Sequence, residues 1–101
     1  MNMQALMQQA QKMQREMQKK QAELEAQTFN IESAGGAIKI SIKGTRQIEK
    51  IEIDKDAIDP NDKEMLEDMI KIAVNEAINV VDKAFDELNA AMTNGMRMPG
   101  F

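Results

Sequence analysis

The sequence predicts an α+β protein of order α-β-β-β-α, in which a three-stranded antiparallel meander carries two long helices that overhang it. Three observations predict this fold. Residues 3–27 contain no glycine, proline or β-branched residue and consist mainly of Gln, Ala, Glu, Lys and Met, which are strong helix formers. The apolar period then changes from 3.6 to 2 near Phe29 and returns to 3.6 after Pro60. Finally, Ser33-Ala34-Gly35-Gly36 and Gly44-Thr45-Arg46-Gln47 interrupt the strand region as two turns, with glycine expected to supply the positive φ of tight hairpins.

In the first helix, Met3, Ala10, Met17 and Leu24 fall on heptad position a, and Leu6 and Met13 on d. Lys20 at the next d breaks the seam. Gln8, Lys12, Arg15 and Lys19 line the opposite, polar side. The strands follow from alternation: Phe29 and Ile31, then Ile38, Ile40 and Ile42, then Ile51 and Ile53 share one apolar face. That face needs a cover, and the second helix supplies it. Asp59-Pro60 reads as N-cap and first helical position, with Asp62 adding negative charge to the first turn. From there to about Met92, Leu66, Ile70, Ala73, Ala77, Val80, Ala84, Leu88 and Ala91 form one stripe, widened by Met65, Met69, Ile72, Val81 and Phe85. Asn94-Gly95 is a suitable stop.

Helices of about 25 and 32 residues run about 37 and 48 Å, whereas a six- or seven-residue strand covers about 20–23 Å. Both helices must overhang the sheet while still carrying apolar stripes, so the overhangs pair with each other as an antiparallel arm, with a partner chain, or both. Because a monomer would also leave sheet edges unpaired, a homodimer with projecting helical arms is expected. Met7, Met13, Met17, Leu24, Leu66 and Ile70 are the candidates for dimer or arm packing. One domain over residues 1–95 is expected, followed by a flexible tail over residues 96–101.

Composition removes whole classes of function. The chain has 101 residues with no Cys, His, Trp or Tyr, so a thiolate metal site, a Cys nucleophile and the usual neutral-pH base are missing. Ser33 and Ser41, the only serines, have no histidine to activate them. Asp54-Lys55-Asp56-Ala57-Ile58-Asp59 fails as a calcium loop, because Ile58 and Asp59 stand where an oxygen ligand and a glycine belong. No catalytic residue, cofactor, metal or small-molecule substrate is expected. Apolar runs fall short of the roughly 20 residues of a membrane span, and the first residues lack a signal-peptide pattern. A cytoplasmic address is the expectation.

Charge is more informative. The net charge of −4 divides into +3 over residues 1–50 and −7 over residues 51–101. Within residues 1–22, Lys12, Arg15, Lys19 and Lys20 face a single acid, Glu16. This is the primary candidate surface for phosphates. Lys39, Lys43, Arg46 and Lys50 form a secondary candidate diluted by Glu49 and Glu52, and Arg97 is a further one. Base reading has little support: there is no helix-turn-helix pair, and Phe29, Phe85 and Phe101 are the only rings.

The run Asp59-Pro60-Asn61-Asp62-Lys63-Glu64-Met65-Leu66-Glu67-Asp68-Met69-Ile70 resembles the signature of the YbaB/EbfC family of bacterial nucleoid-associated proteins. Ile51-Glu52-Ile53-Asp54, Asn75-Glu76-Ala77, Gly35-Gly36-Ala37-Ile38-Lys39-Ile40 and Ile42-Lys43-Gly44 extend the resemblance. So do the Met/Gln-rich start around Leu6–Met13 and the Met/Pro/Gly-rich tail. The resemblance implies a tweezer-shaped homodimer that binds double-stranded DNA, alters its conformation, associates with the nucleoid and influences gene expression. The pI near 4.8 departs from the basic character usual for a DNA binder, so binding must rest on a local patch. The alternative is a protein–protein adaptor whose Met-lined arms grip a partner helix. Eight acids against three bases between Asp62 and Glu87 favour that reading, because an acidic helix repels DNA.

Overall fold

A computed structural model describes residues 2–95. The expected tail and Arg97 lie outside the described residues. The order is α1 (Met3–Ala26), β1 (Thr28–Ser33), β2 (Ile38–Lys43), β3 (Ile48–Ile53) and α2 (Lys63–Gly95), with short 3-10 turns at Ala34–Gly36 and Lys55–Ala57. The strands form one antiparallel sheet in the order β1-β2-β3, as the alternation predicts.

Register follows from the apolar face. Ile31, Ile40 and Ile51 lie side by side, as do Phe29, Ile42 and Ile48. A one-residue slip would turn these side chains into water. Because Ser41 pairs with Lys50 and Ile42 with Ile48, Glu49 is an extra residue in β3. This bulge keeps Ile48 on the inner face and starts β3 earlier than the alternation of residues 50–53 alone shows.

The core is small and layered. Ile38, Ile40 and Ile42 of β2 are at most 2% exposed and meet the fully buried Ala73, Ala77 and Val81 of α2. Phe29, Ile31, Met69, Ile70, Val74, Ile78 and Phe85 pack around that centre. The small side chains of Ala73 and Ala77 let α2 lie close to the isoleucines. Its buried arc is rotated from the stripe read in the sequence: Val74 and Ile78 join the core, whereas Met65, Ile72 and Val80 stay exposed.

The start of α2 also differs from the sequence reading. Asp59 does not cap the helix. Its Oδ1 accepts from Asn61 N–H (2.9 Å), forming a turn, and Asp62 takes the capping role by accepting from Met65 N–H (3.2 Å). The helix therefore begins at Lys63, three residues past Pro60. At the other helix, Asn2 caps α1 by accepting from Gln4 and Ala5 N–H. The whole is elongated, 73 × 28 × 16 Å, because both helices outrun the sheet.

Candidate nucleic-acid interface

The α1 helix contributes no buried residue. Gln21, Leu24, Met13 and Met17 are half-buried, on the side that meets α2 near its root. Met3, Leu6 and Met7 near the tip remain 73%, 49% and 61% exposed. Lys12, Arg15 and Lys19 are exposed and follow one another at steps of three and four. They make a row about 10 Å long on the side away from Met13 and Met17. Among the described residues, no carboxylate lies within ion-pair distance of these three or of Lys20. Lys20 sits apart from the row. It lines a shallow cleft of about 430 Å³ at the root of the helices, with Leu24, Phe29, Ala84 and Leu88 forming its apolar lining.

The secondary candidates are in a different electrical state. Lys39 Nζ lies 3.9 Å from Glu32, and Lys50 lies 2.5 Å from Glu52. The hydrogen bond and the charge of Glu52 hold the Lys50 ammonium above its ordinary pKa, and Lys50 in turn holds the Glu52 carboxyl below its own. Arg46 donates from Nε (2.9 Å) and Nη2 (2.6 Å) to Asp82 Oδ1, and its guanidinium stacks 5.2 Å from the centre of the Phe85 ring. Lys43 is half-buried. Lys39, Arg46 and Lys50 therefore each have a carboxylate close by, whereas among the described residues Lys12, Arg15 and Lys19 have none within ion-pair distance.

The arm-packing candidates divide in the same way. Ile70 packs against the isoleucine core of its own chain, and Leu66 beside it is half-buried. Met13, Met17 and Leu24 are half-buried and Met7 is open. Periodicity alone missed the two exposed apolar strips of the body. One is Ile48 and Ile51 on β3, and the other is Met65, Ile72 and Val80 on α2. The acids of the failed calcium loop bond backbone instead, with Asp54 accepting from Asp56 N–H at 3.0 Å. No helix among the described residues is long and apolar enough to cross a membrane.

The model of the YbaB/EbfC DNA-binding family matches residues 1–96. A nucleoid-associated protein of Clostridium novyi is 43% identical over 100 residues, covering 99% of this chain and 88% of the relative. One from Polynucleobacter asymbioticus is 45% identical over 94 residues, covering 93% and 86%. In fold, the chain is similar to an uncharacterized protein of Helicobacter pylori, with a TM-score of 0.72 at 20% identity, covering 92% of this chain and 98% of that one.

Proposed function

Because this chain belongs to the YbaB/EbfC DNA-binding family, we propose that it is a nucleoid-associated protein that binds duplex DNA mainly through phosphate contacts from α1. The observation that carries this reading is the unpaired row Lys12, Arg15 and Lys19 on a projecting helix, while Lys39, Arg46 and Lys50 each sit beside a carboxylate of the same chain. Such contacts position a duplex without reading its bases. Bending the duplex around the protein is how binding would alter DNA conformation and, through it, gene expression.

The working unit in this proposal is a homodimer. Three strands make a sheet about 14 Å wide, and a helix about 10 Å across cannot cover it. In keeping with this, α2 packs on β1 and β2 and leaves Ile48 and Ile51 of β3 exposed at 37% and 41%. A second copy would cover this strip with its own exposed Met65, Ile72 and Val80 flank, and the two arms would then act as jaws. Two copies present six to eight cations, so affinity should fall steeply with salt, at about 0.9 log unit per contact for each log unit of salt.

The test is duplex retardation across a salt series, for the wild type and for Lys12, Arg15, Lys19 and Lys20 all changed to Glu. Loss of binding with the dimer intact supports the proposal, and full affinity in the variant removes these residues from it. The exposed Met3, Leu6 and Met7 favour one other reading, an adaptor that grips a partner helix. An apolar grip of that kind would barely respond to moderate salt.

A further inference from the structure

The four-residue turn between β2 and β3, Gly44–Gln47, touches both helices where they leave the sheet. On one side, Gly44 N–H donates to the Gln27 carbonyl at 2.9 Å, just past the end of α1. A Cβ at Gly44 would run into the Leu24 carbonyl of the last α1 turn, so only glycine allows the approach. On the other side, Arg46 reaches 36 residues ahead to Asp82 and Phe85 of α2. These two residues lie at the last stretch of α2 that packs on the sheet core.

Arg46 holds this position against its own backbone preference. Its φ is +71°, a left-handed conformation that glycine, asparagine and aspartate adopt far more readily than arginine. Glycine would suit the turn better, so the arginine side chain has to justify its place. It does so through two charge-assisted hydrogen bonds to one carboxylate oxygen and a guanidinium–aromatic contact. Lysine has neither the fork nor the planar face for both.

We infer that this turn is the joint that sets the direction of the arm helices, with Gly44 seating α1 and Arg46 clamping α2. On this account Arg46 is a positioning residue. It serves DNA binding by holding the arms and does not itself touch phosphate, so the inference rests on the DNA-binding reading for its purpose but not for its geometry.

The experiment uses the full-length chain and compares the wild type, Arg46→Gln, Arg46→Lys and the charge swap Arg46→Asp with Asp82→Arg. Aspartate tolerates the left-handed turn, so the swap keeps the pair without the strain. Amide hydrogen exchange measured without DNA should become roughly five- to tenfold faster over residues 84–91 in Arg46→Gln and Arg46→Lys, with residues 70–81 unaffected, and should return to within about twofold in the swap. DNA affinity should fall about threefold in both single variants at an unchanged salt slope, and recover in the swap. Unchanged exchange in Arg46→Gln, or a swap as loose as the singles, overturns the joint. So does a salt slope reduced by about 0.9 per copy in Arg46→Gln that the swap fails to restore, because that is the behaviour of a phosphate contact. A wild type that never retards DNA sinks the DNA-binding reading instead and leaves the exchange result standing.

Discussion

The body and the arm of this protein use similar helical periodicity to opposite ends. In the body, α2 sets Ala73, Ala77 and Val81 against Ile38, Ile40 and Ile42, and all six side chains lose essentially all contact with water. In the arm, α1 repeats apolar residues just as regularly, yet none is buried. The residue types differ as well. The body relies on stiff, β-branched isoleucine and valine, which specify one packing. The arm relies on methionine, whose unbranched side chain adapts to whatever it meets. Period alone thus identifies a helix face without saying what covers it, and the choice of side chain separates a finished core from a face left open to water.

Substitutions can break this comparison, and the largest effect is expected in the body. Ile40→Ala should cost about 2–5 kcal/mol in denaturant unfolding, whereas Met7→Ala should change it by less than about 0.5 kcal/mol. Equal losses would erase the distinction between the regions. Next comes the boundary: Gly44→Ala forces the turn or α1 to shift and should cost about 1–3 kcal/mol, with faster amide exchange over residues 20–27.

Smaller still is Asn2→Ala, which removes the cap from the tip of the arm. Losing this cap costs the first turn of α1 about 1 kcal/mol. Circular dichroism should therefore record about one turn of lost helix while the unfolding midpoint of the body stays put. Least of all is Glu52→Gln. The folded Glu52 carboxyl has a lowered pKa, so its contribution is present above the unfolded-state value and fades as pH falls through the folded one. The variant should melt marginally below wild type at neutral pH and coincide with it in strong acid. A difference that grows on acidification would contradict the Lys50–Glu52 pairing.

The strands were legible because period 2 leaves little choice: Ile38, Ile40 and Ile42 can share only one face. The α2 arc was less so. Met65, Ile72, Val74, Ile78 and Val80 together spread around so much of the helix that the sequence does not say which side meets the sheet, and the sheet selected Val74 and Ile78. Asp59-Pro60 satisfied the local rule for a helix start, but Asp62 offered the same chemistry three residues on and the turn at Asp59 used it. Lys12, Arg15 and Lys19 were legible as an exposed row because only local spacing decides that, whereas the place of Lys20 beside the root cleft depends on how α2 packs. The pairing of Arg46 was not legible, because Asp82 lies far away in the chain and the positive φ fell on Arg46 rather than on Gly44.

The central claim is that a locally cationic helix holds a polyanion in spite of the molecule's net negative charge. Duplex affinity measured at several salt concentrations, for the wild type and the Lys12/Arg15/Lys19/Lys20 charge-reversed protein, tests it most directly. The wild type should show a steep log–log slope, about −5 to −7 for six to eight phosphate contacts, and the variant no measurable binding. A flat slope, or a variant that binds as tightly as the wild type, would contradict it.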